Sequence, residues 1–392
     1  MKTKNIQNQI DITLIKVAEW YKWLHANPAL SGMEFKTSEF VIKTLHSFGI
    51  TDITQHATTG LHAVVDTGRV GKHIAFRAEL DALPIDEKTA VDFKSRNSGV
   101  MHACGHDFHM AALLGVASVV AENRELLKGK ISFVFQPSEE KLPGGAKQML
   151  ADGLFQNHKP DLIIAQHVFP DLQAGMVGFR EGSYMASGDE IDVIVRGTGG
   201  HGALPHLCND VVLTLAHTLV ALQQVRSRFV NQNEAFVLSF GKMEANGANN
   251  ILPHEAKMEG TMRTLSEEWR AKSKDQIRSI VQNTAKMFGC EGITDIREGY
   301  PVLKNHPEYT KKVKALAEQL FGAERVVDLP IRMTTDDFSY FAQQFPAVYY
   351  RVGVGHKKES DNYGLHTSQF LPDISALETA IKFPLEILLK LG

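Results

Sequence analysis

The sequence predicts an α/β protein: a mixed, mostly parallel sheet flanked by helices, with a small α+β sandwich inserted as a lid or dimerisation domain. Three observations predict it. In the first half, short β-branched runs alternate with helical patterns, the order that βαβ units require. From about Gly188 the order becomes strand, helix, strand, strand, helix, which suits a separate sandwich. Past residues 297–301 the first pattern resumes. The 392 residues suffice for two ordinary domains, expected as 1–187 plus 299–392 for the core and 188–298 for the insertion.

Taken in order, strands are predicted over residues 61–66, 73–78, 131–136 and 162–166. Apolar residues at helical spacing predict helices over 37–47 and 109–123, the second apolar enough to be central. In the insertion, IDVIVRG, AFVLSFGKM and residues 258–263 read as strands, with helices over 210–226 and up to 287. The core then resumes with a helix over 308–321, a strand over 347–352 and a closing helix over 375–391.

Composition narrows the function classes. Hydrophobic residues make up 43% and charged residues 22%, so no stretch is disordered by composition. The formal charge of −3 offers no basic field for nucleic acid. No run approaches the roughly 18 apolar residues of a membrane span, and the start lacks a leader's apolar core. Cys104, Cys208 and Cys290 are the only cysteines, too few and too scattered for a disulfide framework. Together these lead us to expect a cytoplasmic protein.

Candidate chemistry gathers where open parallel sheets place it, at the carboxyl ends of strands. Glu79 and Asp81 follow the 73–78 strand, Glu139 and Glu140 the 131–136 strand, and His167 the 162–166 strand. The densest stretch is MHACGHDFH, residues 101–109, at the start of the apolar helix. A lone buried cysteine packs inertly by default. Three imidazoles and a carboxylate within eight residues change that reading, because such groups are hard to satisfy in a core. A helix N-terminus favours thiolate, which makes Cys104 a metal-ligand candidate beside His106, while His102 and His109 fit a supporting or structural part. In QPSEE, adjacent carboxylates point to opposite sides, so one can face metal and the other substrate. With His167 and His366, five N, O and S donors are available, about what two ions need if one donor bridges. Thiolate and imidazole favour zinc, nickel, cobalt or manganese over calcium or magnesium.

RAELDALPI, GVMHACGHD, QPSEE, GTGGHGALPH, NNILPHEAKMEGTMR and GLHTSQF, in that order, resemble the motifs of the aminoacylase and carboxypeptidase-G-type metallopeptidases. The branch that looks closest holds hippurate hydrolases, N-acyl-L-amino acid amidohydrolases and hydrolases of auxin (indole-3-acetic acid) conjugates. The resemblance spans almost the whole chain. It implies two divalent metal ions per subunit, with Cys104 bridging, His106, Glu140, His167 and His366 as the other ligands, and Glu139 as the base. It further implies that Asp81 orients an imidazole or the site loop, that His201 serves the oxyanion, possibly across a dimer interface, and that Asn250 and Arg263 hold the substrate carboxylate or line its pocket. The expected substrate is a small N-acyl amino acid, and the expected assembly a homodimer or higher homo-oligomer whose lid closes during turnover. Departures from the branch are Glu79 where it has Asp, Ser98-Gly99 where it has Pro-Gly, and Thr334-Thr335-Asp336-Asp337-Phe338 where it has Gly-Ser-Glu-Asp-Phe. Two rival readings are a dipeptidase or aminopeptidase on the same site and a non-catalytic metal-binding scaffold.

Overall fold

The computed structural model describes residues 2–392, with side chains from residue 7 onward. The chain forms two compact units, one of Met1–Gly182, Lys304–Pro330 and Asp337–Gly392, the other of Ser183–Leu303 and Ile331–Asp336.

The larger unit is built on an eight-stranded sheet. Its spatial order is Ile53–His56, Gly60–Asp66, Lys130–Gln136, His73–Glu79, Leu162–Gln173, Ala347–Gly355, Val177–Phe179 and Val326–Asp328. The four central strands run parallel. They read as near-continuous apolar runs because both faces are covered, and His73–Glu79 is buried at every position. Antiparallel pairs flank this centre, which makes the sheet mixed. Helix His106–Glu122 is buried from His106 to Val120 and packs against helices Lys2–Ala26 and Ala376–Leu391. A helix apolar on every side belongs inside. Each of Leu113, Leu114, Val116, Val119 and Val120, buried in this core, contributes roughly 1.5–3 kcal/mol. The helix start is therefore a fixed platform.

The smaller unit has an antiparallel sheet in the order Phe236–Ala245, Glu255–Thr264, Ser187–Arg196 and Glu291–Glu298. Helices Val211–Gln224 and Glu267–Met287 pack against the sheet and against each other. Alternate residues Ile191, Val193 and Val195 join its core, the period of two that a half-covered strand requires. Both helices begin at caps: Asp210 accepts from the Leu213 N–H at 2.9 Å and Ser266 from the Trp269 N–H at 3.3 Å.

Several elements differ from the sequence reading, among them the short strands Ile53–His56, Val177–Phe179 and Val326–Asp328, which it did not include. Helix Lys2–Ala26 was not anticipated, although Ile10, Val17, Tyr21 and Leu24 are all buried at helical spacing. Strand Glu291–Glu298 was also missed: its polar sequence EGITDIRE pairs only with Ser187–Arg196 at the sheet edge, where little burial is imposed. Finally, Leu162–Gln173 runs past the expected end at 166, because its pairing with Ala347–Gly355 continues through Val168 and Phe169. His167 therefore lies within a strand rather than beyond one.

Candidate metal centre

Backbone geometry first sets Cys104 and His106. Gly105 between them has φ +82°, and a Cβ built there would meet Val168 Cγ2 at 2.5 Å. Only glycine satisfies both conditions. The residue on each side thereby faces the strand that carries His167.

The five expected donors converge. Cys104 Sγ lies 3.3 Å from His366 Nε2 and 3.5 Å from His167 Nε2. Glu140 Oε1 lies 3.2 Å from His366 Nε2 and 4.0 Å from His106 Nε2. Donor atoms of Cys104, His106 and Glu140 fall within 4.8 Å of one another. His366 reaches this cluster with φ +61°, an uncommon conformation for a non-glycine residue, and its N–H is tied to the Ala103 carbonyl at 2.8 Å.

Ring hydrogen bonds show which nitrogens are available. His106 Nδ1 donates to the Asp81 carbonyl at 2.8 Å, and its buried Nε2 has no hydrogen-bond partner among the described residues. His167 Nδ1 donates to the Val168 carbonyl at 2.9 Å, which leaves Nε2 toward Cys104. A second N–H pinned to a carbonyl is the usual support of a metal-binding imidazole. His109 is different: Nε2 accepts the Val168 N–H at 2.9 Å and Nδ1 donates to Glu79 at 2.7 Å, so neither nitrogen is free. His102 is buried with both ring nitrogens unpaired, and burial holds it at about 4, hence neutral. Among the polar neighbours of the cysteine in MHACGHDFH, it is His106 whose donor atom groups with those of Cys104 and Glu140.

Charge at the cluster is lopsided. Burial would push the His106 pKa down, yet Glu79, Asp81 and Glu140 outweigh it and hold the ring at about 10. The Cys104 thiol is pushed well up by burial and by Glu140, Glu139 and Glu79. Burial first, and these carboxylates after it, oppose the acidification that a helix start favours. The donor set therefore suits cations, which reverse the local pKa logic. A soft thiolate with imidazoles and a carboxylate fits divalent transition metals.

Asp81 stands behind the donors. Its carbonyl takes His106, while Oδ2 accepts the Glu140 N–H at 3.0 Å and the Ser31 hydroxyl at 2.7 Å. Glu139, beside Glu140, is 7% exposed, with Oε2 4.0 Å from His106 Nε2. The departure at Glu79 has a structural part: its buried carboxylate spans from Arg77 to His109. Burial opposes its charge, but Arg77, His109 and His106 keep it well below the usual carboxylate range. Arg77 also donates to Asp337 at 2.7 Å, and Asp337 accepts the Ala146 N–H at 2.9 Å. Sequence reasoning gave Arg77, Glu34 and His25 no part. All three are buried, and their patterns in the sequence carry no distinguishing signal.

The smaller unit holds the remaining expected residues. His201 and Asn250 come together on a two-residue ribbon, where His201 pairs with Ile251 and the Gly202 N–H donates to the Asn250 carbonyl at 2.8 Å. His201 Nδ1 accepts the Ala203 N–H at 3.0 Å, which leaves Nε2 as the ring's donor. Arg263, half-buried, donates to Thr335 Oγ1 at 3.4 Å, and among the described residues no carboxylate pairs with it. Gly188 lets it pack closely: a Cβ there would lie 2.8 Å from Arg263 Nη1.

Comparison with known proteins agrees with this geometry. Residues 75–390 match the family described as Peptidase family M20/M25/M40. "Thermostable carboxypeptidase 2" of Saccharolobus solfataricus is 34% identical over 382 residues, covering 96% of this chain and 95% of that protein. "N-acetyldiaminopimelate deacetylase" of Bacillus cytotoxicus is 33% identical over 373 residues, covering 95% and 97%. Among solved structures, the Bacillus subtilis YXEP protein, described as a dinuclear metal binding peptidase from the M20 family, superposes with a TM-score of 0.83 at 27% identity, covering 97% and 98%. The order of motifs, the mixed sheet and these matches lead to one conclusion: this chain belongs to peptidase family M20/M25/M40 and is a hydrolase of that family.

Proposed function

We propose that the protein hydrolyses the amide bond of N-acyl-L-amino acids, giving a carboxylic acid and a free amino acid. The observation that carries this reading is the placement of Glu139, an acid outside the donor cluster but 4.0 Å from one of its members. Support also comes from relatives whose names include N-acetyldiaminopimelate deacetylase.

Cys104, His106, Glu140, His167 and His366 would hold two divalent ions. When bound, these would supply Lewis-acid polarisation of the carbonyl and acidification of water. Glu139 accepts the proton of the attacking water as its oxygen bonds to the amide carbon. It then delivers that proton to the nitrogen as the C–N bond breaks, so that a neutral amine leaves. Asp81 keeps His106 and Glu140 in place through its carbonyl and Oδ2. His201, with its proton on Nε2, donates to the developing oxyanion, a contribution on the order of 3 kcal/mol in comparable sites. Arg263, which has no carboxylate partner among the described residues, takes the free carboxylate of the substrate through its planar fork, with Asn250 lining the same pocket. The insertion serves as lid and dimerisation domain of a cytoplasmic homodimer, a setting that the three free cysteines suit.

The test is a Glu139→Gln variant assayed with acetyl, benzoyl and longer acyl amino acids beside unblocked dipeptides. Expected are full metal content, near-complete loss of turnover, and wild-type preference for the acylated compounds. Near-normal turnover by the variant, or wild-type preference for dipeptides, would refute the reading.

A further inference from the structure

We infer that Glu34, in the short connection between the first two helices, is a positioning residue that aims Glu139. This rests on the reading of Glu139 as the base. Glu34 occupies the N-cap position of helix Phe35–Ser47, yet its side chain makes no cap hydrogen bond. It is wholly buried, and among the described residues no cation pairs with it. Its carboxylate turns instead toward the segment that carries Glu139. Oε1 accepts the Ser138 N–H at 2.9 Å, the Gly32 N–H at 2.9 Å and the Ser138 hydroxyl at 3.4 Å. Oε2 accepts the Thr59 hydroxyl at 2.8 Å.

Ser138 is a strained residue, with φ +50°, where an L side chain crowds its own backbone. Such a conformation persists only when its surroundings over-determine it. Here the Ser138 N–H is held by Glu34, and its carbonyl accepts the Gly145 N–H at 3.1 Å. Two residues on, the Glu140 N–H is held by Asp81 Oδ2 at 3.0 Å, and the same oxygen accepts Ser31 Oγ at 2.7 Å. The connection thus reaches the backbone on both sides of Glu139, once through Glu34 and once through Ser31 and Asp81. Release of the first hold frees Ser138 to return to negative φ, which swings the Glu139 carboxylate while Glu140 stays anchored. The work is done by reach and acceptor geometry, not by charge, because every partner of Glu34 is a neutral N–H or O–H.

That distinction defines the test. Glu34→Gln keeps the length and an acceptor oxygen for Ser138, and its amide can donate to the Thr59 oxygen. Glu34→Asp keeps the charge but is one methylene short, and Glu34→Ala removes the hold. We expect Glu34→Gln to retain most of the turnover. Glu34→Ala should lose about tenfold to hundredfold in kcat with KM and metal content unchanged, and Glu34→Asp should fall below Glu34→Gln. Adding Ser138→Gly to Glu34→Ala should restore part of kcat, since glycine adopts positive φ without strain; a purely structural role would shift thermal stability and leave this rescue absent. Wild-type kcat in Glu34→Ala, loss of metal from it, or Glu34→Asp equal to Glu34→Gln would overturn the inference. Glu139→Gln is measured beside them. An inactive Glu139→Gln with a normal Glu34→Ala overturns this inference alone, whereas an active Glu139→Gln removes the base and the inference with it.

Discussion

Replacing Gly105 by alanine tests whether the metal centre depends on one backbone position. The residue has φ +82°, and the added Cβ would meet Val168 Cγ2 at 2.5 Å and Cγ1 at 3.3 Å, against ordinary carbon contacts of about 3.5–4.0 Å. Left-handed backbone costs an L-residue about 1–2 kcal/mol. Forcing a methyl into packed surroundings costs about 1–3 kcal/mol, which gives about 2–5 kcal/mol together. Val168 cannot retreat cheaply, because its N–H donates to His109 at 2.9 Å and its carbonyl accepts from His167 at 2.9 Å. A shift of the Val168 backbone to relieve the overlap disturbs the hydrogen bond that orients the His167 ring. Gly105→Ala should therefore lower the unfolding free energy in urea by that amount and reduce metal content measured by mass spectrometry. A variant within roughly 0.5 kcal/mol of wild type and fully loaded with metal would refute the reasoning.

Three further outcomes are expected. Chelation should abolish hydrolysis and re-addition of zinc, manganese, cobalt or nickel restore it, while Cys104→Ala should bind less metal than wild type; full activity after exhaustive chelation would contradict the donor assignment. Arg263→Ala should raise KM roughly tenfold to hundredfold for substrates with a free carboxylate and leave their carboxamide analogues unaffected, and an equal effect on both would exclude carboxylate binding. His25 bridges Asp107 at 2.6 Å and Glu87 at 3.1 Å; burial would lower its pKa, but these carboxylates raise it from 6.5 to about 9. A raised folded pKa stabilises fully below the unfolded value and is lost as pH rises through the folded one, so stability should fall between pH 6.5 and 9 by on the order of 3 kcal/mol. Denaturation midpoints for wild type and His25→Gln would check this, and an identical pH slope in both would rule it out.

Most of the central fold was legible in the sequence because the strongest patterns are those imposed by burial. His73–Glu79, Lys130–Gln136 and Ala347–Gly355 are apolar runs covered on both faces, and their predicted limits fall within three residues of those observed. Edge strand Glu291–Glu298 faces solvent over much of its length, and its composition carries little of that imprint. In helix Lys2–Ala26, Ile10, Val17, Tyr21 and Leu24 mark a buried stripe, blurred in the sequence by Ile12 and Ile15, which are exposed.

At the candidate site, residue types and motif order alone nominated Cys104, His106, Glu140, His167 and His366, since a thiol, imidazoles and a carboxylate are the donors that divalent transition metals take. Tertiary structure alone decided which nitrogens are free. His106 and His109 are equivalent by composition, yet one has an unpaired Nε2 and the other has both nitrogens occupied. Sequence likewise could not assign Glu34, whose partners lie at Thr59 and Ser138. The physical reason is that a residue's type fixes which bonds it can make, whereas the partner that takes each bond depends on segments distant in the chain that only folding brings within hydrogen-bonding range.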